Sequence, residues 1–98
     1  MLEVTGAKSG NRYRFPVQFA ETADGLVIWP GHAKRKTWWR NLSQPADVTV
    51  WFRGKQLQGQ GAVLMPQAAG SAEARAEYGR RWRRVSVPAD EPVVRITF

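Results

Sequence analysis

The sequence predicts a mainly β domain of about six short strands with one or two short helices, closing into a whole or half barrel. Three observations point there. Apolar and polar residues alternate with period two through residues 12–19, the mark of a strand with one buried face. Turn signals, Asp24-Gly25 and Arg53-Gly54-Lys55, separate apolar stretches at hairpin spacing. A chain of 98 residues has material for one modest core, so residues 1–98 read as a single domain, with no repeat or low-complexity tract to divide it. In so short a chain, six strands bury their apolar faces best by curling on themselves.

The elements follow in order. Residues 2–5 form the first strand and residues 6–10 the turn after it. In residues 12–19, Tyr13, Phe15, Val17 and Phe19 take the buried face, and Arg12, Arg14, Pro16 and Gln18 the outer one; Pro16 demands an edge or a bulge because it cannot donate to a ladder. Residues 26–29 return across the Asp24-Gly25 hairpin, and the three strands form a meander. A short amphipathic helix then carries the adjacent Trp38 and Trp39, which cannot both point inward on one helical face. Residues 48–52 and 56–63 pair across the Arg53-Gly54-Lys55 turn. Gly59 and Gly61 share the face of Leu57 and Val63, which calls for sharp curvature or a close neighbour. Residues 71–84 form a helix with Tyr78, Trp82 and Val85 on one side, and residues 92–98 the last strand.

Composition narrows the chemistry. The chain has no cysteine and one histidine, His32, which excludes a disulfide scaffold, a thiolate zinc site, a cysteine nucleophile and a multi-histidine metal centre. No apolar run is long enough to span a bilayer as a helix, and residues 1–4 lack the charged and apolar regions of a signal peptide, so a cytoplasmic protein is expected. The net charge of +7 favours an anionic partner: nucleic acid, an anionic lipid surface or a phosphorylated small molecule. Part of that excess is structural. Arg80, Arg81, Arg83 and Arg84 fall in the last turns of the predicted helix, where cations complement the dipole and Glu77 can pair with Arg81.

Two segments carry a possible site. Lys34, Arg35 and Lys36 lead into Trp38-Trp39-Arg40-Asn41-Leu42, a pairing of large rings and cations suited to a flat anionic ligand. Upstream, Thr5-Gly6-Ala7-Lys8-Ser9-Gly10 offers a tight turn whose backbone N–H groups, with an ammonium and a hydroxyl beside them, can cradle a phosphate. It is not a P-loop, since the first glycine is too close to the lysine and no helix follows.

Taken in order, Thr-Gly-x-Lys-Ser-Gly, a strand containing proline, an Asp-Gly hairpin, a glycine and lysine ahead of Trp-aromatic-x-Asn-Leu, Val-Thr-Val and a glycine-containing hairpin resemble the deazaflavin (F420)-dependent nitroreductase family. This family belongs to the FMN- and F420-binding split β-barrel superfamily, which includes pyridoxamine phosphate oxidase-like proteins. The resemblance covers about residues 2–63. It implies a split β-barrel, a homodimer, and coenzyme F420 in a groove, with FMN as the cofactor in related branches. It also implies hydride transfer from reduced F420 to a small-molecule acceptor: a quinone, a nitro compound or another electron-poor molecule. By matching position, Lys8, Ser9 and Gly10 would hold the phosphate, Lys34 would approach the anionic tail, and Trp38 and Asn41 would shape the pocket wall. Arg12, Arg14, Lys36 and Arg40 join them on charge and location. A proton could come from Tyr13, Tyr78, Ser9 or water.

The chain departs from the family pattern at Ala7, Tyr13, Trp39 and Arg40, where arginine, arginine, tyrosine and histidine are common. It also begins at the first strand, where such proteins commonly place a helix over the substrate pocket. Two alternatives stand beside the reductase. One is a cofactor-binding protein on the same fold without efficient turnover. The other is a basic barrel stacking single-stranded nucleic acid on Trp38, Trp39 and Trp51.

Overall fold

Proline at position 16 interrupts the second expected strand. In the computed structural model, which describes residues 1–5, 10–31 and 38–98, the stretch expected as one strand is two: β2 (Arg12–Phe15) and β3 (Phe19–Glu21), with Pro16 in the break. The remaining strands are β1 (Leu2–Thr5), β4 (Gly25–Ile28), β5 (Ala46–Phe52), β6 (Lys55–Leu64) and β7 (Val93–Thr97), joined by a 3-10 helix (Trp38–Leu42) and by α1 (Ser71–Arg81). All pairings are antiparallel, and the seven strands run β2-β1-β5-β6-β7-β4-β3.

Consecutive strands β2 and β3 therefore lie at opposite edges of the sheet. Flat, seven strands would set those edges about 29 Å apart. The link from Phe15 to Phe19 can reach only about 14 Å. The sheet must curl until its edges approach, and it forms a half-barrel split between β2 and β3. The expected meander is corrected accordingly: β1 pairs with β2, and β3 with β4, on the two sides of the split. Phe19 helps to close it, meeting Phe52 edge-to-face at 5.2 Å.

Alternation along the strands builds two cores. Leu2, Val4, Leu26, Ile28, Val48, Val50, Val94 and Ile96 fill the concave face with Leu42 from the 3-10 helix. On the convex face, Ala20, Val27 and Val93 meet Ala74 and Tyr78 of α1. Close approach explains two glycines. A Cβ on Gly61 would stand 3.1 Å from Leu42 and 3.2 Å from Val48, so the expected close neighbour is the 3-10 helix. A Cβ on Gly25 would fall 1.7 Å from the carbonyl oxygen of Ile96, so Gly25 serves the β4–β7 pairing.

Three further expectations change. Tyr13 keeps its alternating position but is 45% exposed, because β2 is the edge strand of the sheet formed by the described residues. The helix stops at Arg81, leaving Arg83 and Arg84 in a turn beyond it, since the Trp82 indole N–H donates to the Phe19 carbonyl at 2.9 Å and draws the chain out of helical register. Glu77 pairs with Arg95 on β7 at 3.5 Å rather than with Arg81, because that helix face is laid against the sheet.

Candidate functional site

The 3-10 helix and strand β2 carry the described candidates. Trp38 tilts against Phe15 with ring centroids 4.9 Å apart, and Trp38 and Trp39 both pack on the concave core while remaining half-buried. Adjacent residues of a 3-10 helix diverge by about 120°, so the two indoles do not share one face: Trp39 lies in line with the buried Leu42 three residues on, and Trp38 turns toward Phe15. Both indoles reach the core, and each stays half-buried because the two diverge. The Arg40 guanidinium lies over Trp39 at 5.4 Å, and the Arg40 carbonyl accepts hydrogen bonds from the Ser43 N–H at 3.2 Å and hydroxyl at 2.8 Å, which close the turn. Asn41 beside it is half-buried.

Strand β2 presents two different faces. Arg12 and Arg14 point to the convex side, Tyr13 and Phe15 to the concave side where Trp38 sits. Arg14 is engaged: it pairs with Glu3 at 3.1 Å and covers Trp51 at 4.2 Å. Arg12, opposite Thr5, has no ion-pair or hydrogen-bond partner among the described residues. Gly10, just before β2, takes φ 72°, a left-handed conformation, with open space where a side chain would begin. Lys8, Ser9, Lys34 and Lys36, like His32, lie outside the described residues.

An open convex groove of about 400 Å³ is lined by Thr5, Arg12, Arg14, Asp47, Trp51 and Gln58 among others. Glu3 and Asp47 balance the two arginines there, so the groove as a whole is no anion trap. The structure thus places Arg12 and Arg14 on one face of the β2 edge and Trp38 on the other. Because no strand among the described residues pairs with the outer side of β2, a ligand can lap over that edge and meet both. Sequence reasoning missed Glu3 and Trp51 as the partners of Arg14; the signal was the cross-strand register, which a single sequence does not display.

The tyrosines also separate. Tyr78 is 2% exposed beneath α1, and burial pushes its phenol above the ordinary value. Tyr13, on the concave side of the edge, is open to solvent. The three tryptophans of a nucleic-acid platform divide as well: Trp38 and Trp39 pack on the concave core, whereas Trp51 lies under Arg14. No cluster of metal-ligating side chains occurs among the described residues, and none of their helices is long and apolar enough to cross a membrane.

A guanidinium with no ion-pair partner among the described residues, a left-handed glycine that opens on space, and half-exposed indoles along an open edge fit a flat cofactor with an anionic tail. Comparison with curated proteins gives no match. A family model described as F420H(2)-dependent quinone reductase matches residues 1–91, nearly the whole chain. The chain therefore belongs to the F420H(2)-dependent quinone reductase family, a split-barrel family whose cofactor is coenzyme F420.

Proposed function

We propose that this protein transfers a hydride from reduced F420 to a quinone, and to other electron-poor acceptors such as nitro compounds. The observation that carries the reading is the convergence of Trp38 with Phe15 at the open β2 edge, within the stretch that the family model spans. When bound, reduced F420 supplies the hydride. The chain's own residues bind, orient and exclude water.

In this reading Lys8, Ser9 and Gly10 cradle the phosphate, and Arg12 adds a cation that forms no ion pair with a carboxylate among the described residues. Lys34 and Lys36 meet the anionic tail. Trp38 and Asn41 form the wall beside the ring, and Arg40 screens the open side of Trp39. Arg14, tied to Glu3, holds the β1–β2 hairpin in place for Arg12. Reduction of a quinone to a quinol consumes a proton as well as a hydride. Tyr13 is the better donor to the acceptor oxygen, since the Tyr78 hydroxyl sits under α1 and burial holds its proton more tightly. A homodimer completes the proposal, and light scattering of the purified chain checks it.

The test is a titration of the protein with F420 and separately with FMN, at low and moderate salt, followed by addition of a quinone to the complex with reduced F420. Saturable F420 binding that survives salt, with stoichiometric reoxidation by the quinone, is expected. F420 binding without reoxidation would leave a binding protein on this fold. Binding of FMN alone would overturn the cofactor assignment.

A further inference from the structure

A second groove, of about 700 Å³, opens between β3, the β5–β6 hairpin and the C-terminal end of α1. Its volume lies within the range of small-molecule sites, about 300–1,000 Å³. Its walls are aromatic and held in place. The Trp82 indole is anchored to the Phe19 carbonyl at 2.9 Å, and Phe19 in turn meets Phe52 edge-to-face. Trp51 completes the lining, the one residue this groove shares with the convex groove of Arg12.

Two arginines guard the opening. Arg81 stacks on Trp82 at 3.9 Å, an arrangement that leaves its in-plane N–H donors free, and it has no carboxylate partner among the described residues because Glu77 is taken by Arg95. Arg53 lies over Phe52 at 5.1 Å and donates to Glu21 at 2.7 Å. Its backbone is the notable point: φ is 54°, in the first position of a two-residue hairpin turn that favours asparagine, aspartate or glycine. A long cation held there against local preference points to a use for the cation. With two guanidiniums against one carboxylate, Glu21, the groove keeps one positive charge in excess.

We propose that this groove binds a flat aromatic molecule bearing a single carboxylate, its ring against Trp82 and Phe52 and its anion between Arg53 and Arg81. None of the residues assigned above to F420 lines it, so this site stands independently of that reading.

The experiment titrates isotope-labelled protein with 2-naphthoate and with 2-naphthalenemethanol, the same ring without the charge, following the indole N–H signals and measuring affinity by calorimetry. Saturable shifts at Trp51 and Trp82 are expected, with the carboxylate preferred by about tenfold or more. Arg81→Gln and Arg53→Asn should each remove most of that preference and leave F420 binding unchanged; asparagine suits the left-handed turn, so the second variant keeps the fold. Several outcomes would overturn the assignment: no saturable shift, equal affinity for the alcohol, shifts confined to Trp38 and Trp39, or displacement of F420. Concentration-dependent shifts of Trp51 and Trp82 without ligand would overturn it too, by giving the groove to a second copy of the chain. Naphthoate binding in a protein that fails to bind F420 would remove the reductase reading and leave this one standing.

Discussion

The two sides of the half-barrel are built to opposite specifications. On the β7–β4–β3 side, α1 covers the convex face, and Ala20, Val27, Val93, Ala74 and Tyr78 are almost completely buried. On the β2–β1 side no α-helix among the described residues covers the convex face; Arg12, Tyr13 and Arg14 are exposed, and the rings nearby are half-buried. Burial removes apolar area from water at about 25 cal/mol per Å², so the helix-covered side contributes stability. The open edge buries little and keeps cations and aromatic faces available, so it can bind.

The comparison is broken most severely at Gly25. Gly25→Ala forces a methyl into the Ile96 carbonyl, and the β4–β7 pairing has to separate; a loss of about 4 kcal/mol or more is expected, seen as absence of a cooperative thermal melt. Next comes Tyr78→Ala, which opens a cavity beneath α1 at a cost of about 3–5 kcal/mol in denaturant midpoint analysis. If either variant melted like the parent, the helix-covered side would not be the seat of stability.

The opposite side should answer differently. Arg12→Ala should leave the melting temperature unchanged within error while weakening F420 by about tenfold in the tryptophan-quenching titration. Equal affinity would remove Arg12 from the site. Lys8→Ala tests the neighbouring turn in the same way, and unchanged affinity would remove the phosphate cradle.

The smallest effect concerns pH. Burial raises the folded phenol of Tyr78 above its ordinary value of 10.0. Between the unfolded and folded values the native state holds more protons than the unfolded chain, so stability is fully present below about pH 10 and falls as pH rises through that window. Tyr78→Phe should flatten this alkaline decline in urea melts; an unchanged slope would assign it to other groups.

Much of this was legible in the chain itself. Period-two patterning and turn residues located nearly every strand, because a half-buried strand must alternate and a tight hairpin needs residues tolerant of positive φ. Gly54 shows it, with φ of 74°, although Arg53 before it takes φ of 54° against preference. The ordered motifs across about residues 2–63 carried the family. The exposure of Tyr13 was not legible, since alternation assigns a face but says nothing of whether that face is covered. Nor was the engagement of Arg14, which depends on Glu3 and Trp51 arriving from other strands.

By itself, then, the sequence determined the β character, the turn positions, the positive charge and the membership of an F420-dependent family, because propensity, turn chemistry and local motifs act over a few residues. Tertiary structure alone decided that Pro16 splits one strand into two opposite edges. It also decided that the 3-10 helix seats Leu42 against Gly61, and that the arginines divide between structural pairing and availability. Those outcomes rest on closure of the sheet and on contacts between residues far apart in the chain, and no local pattern encodes which edges meet.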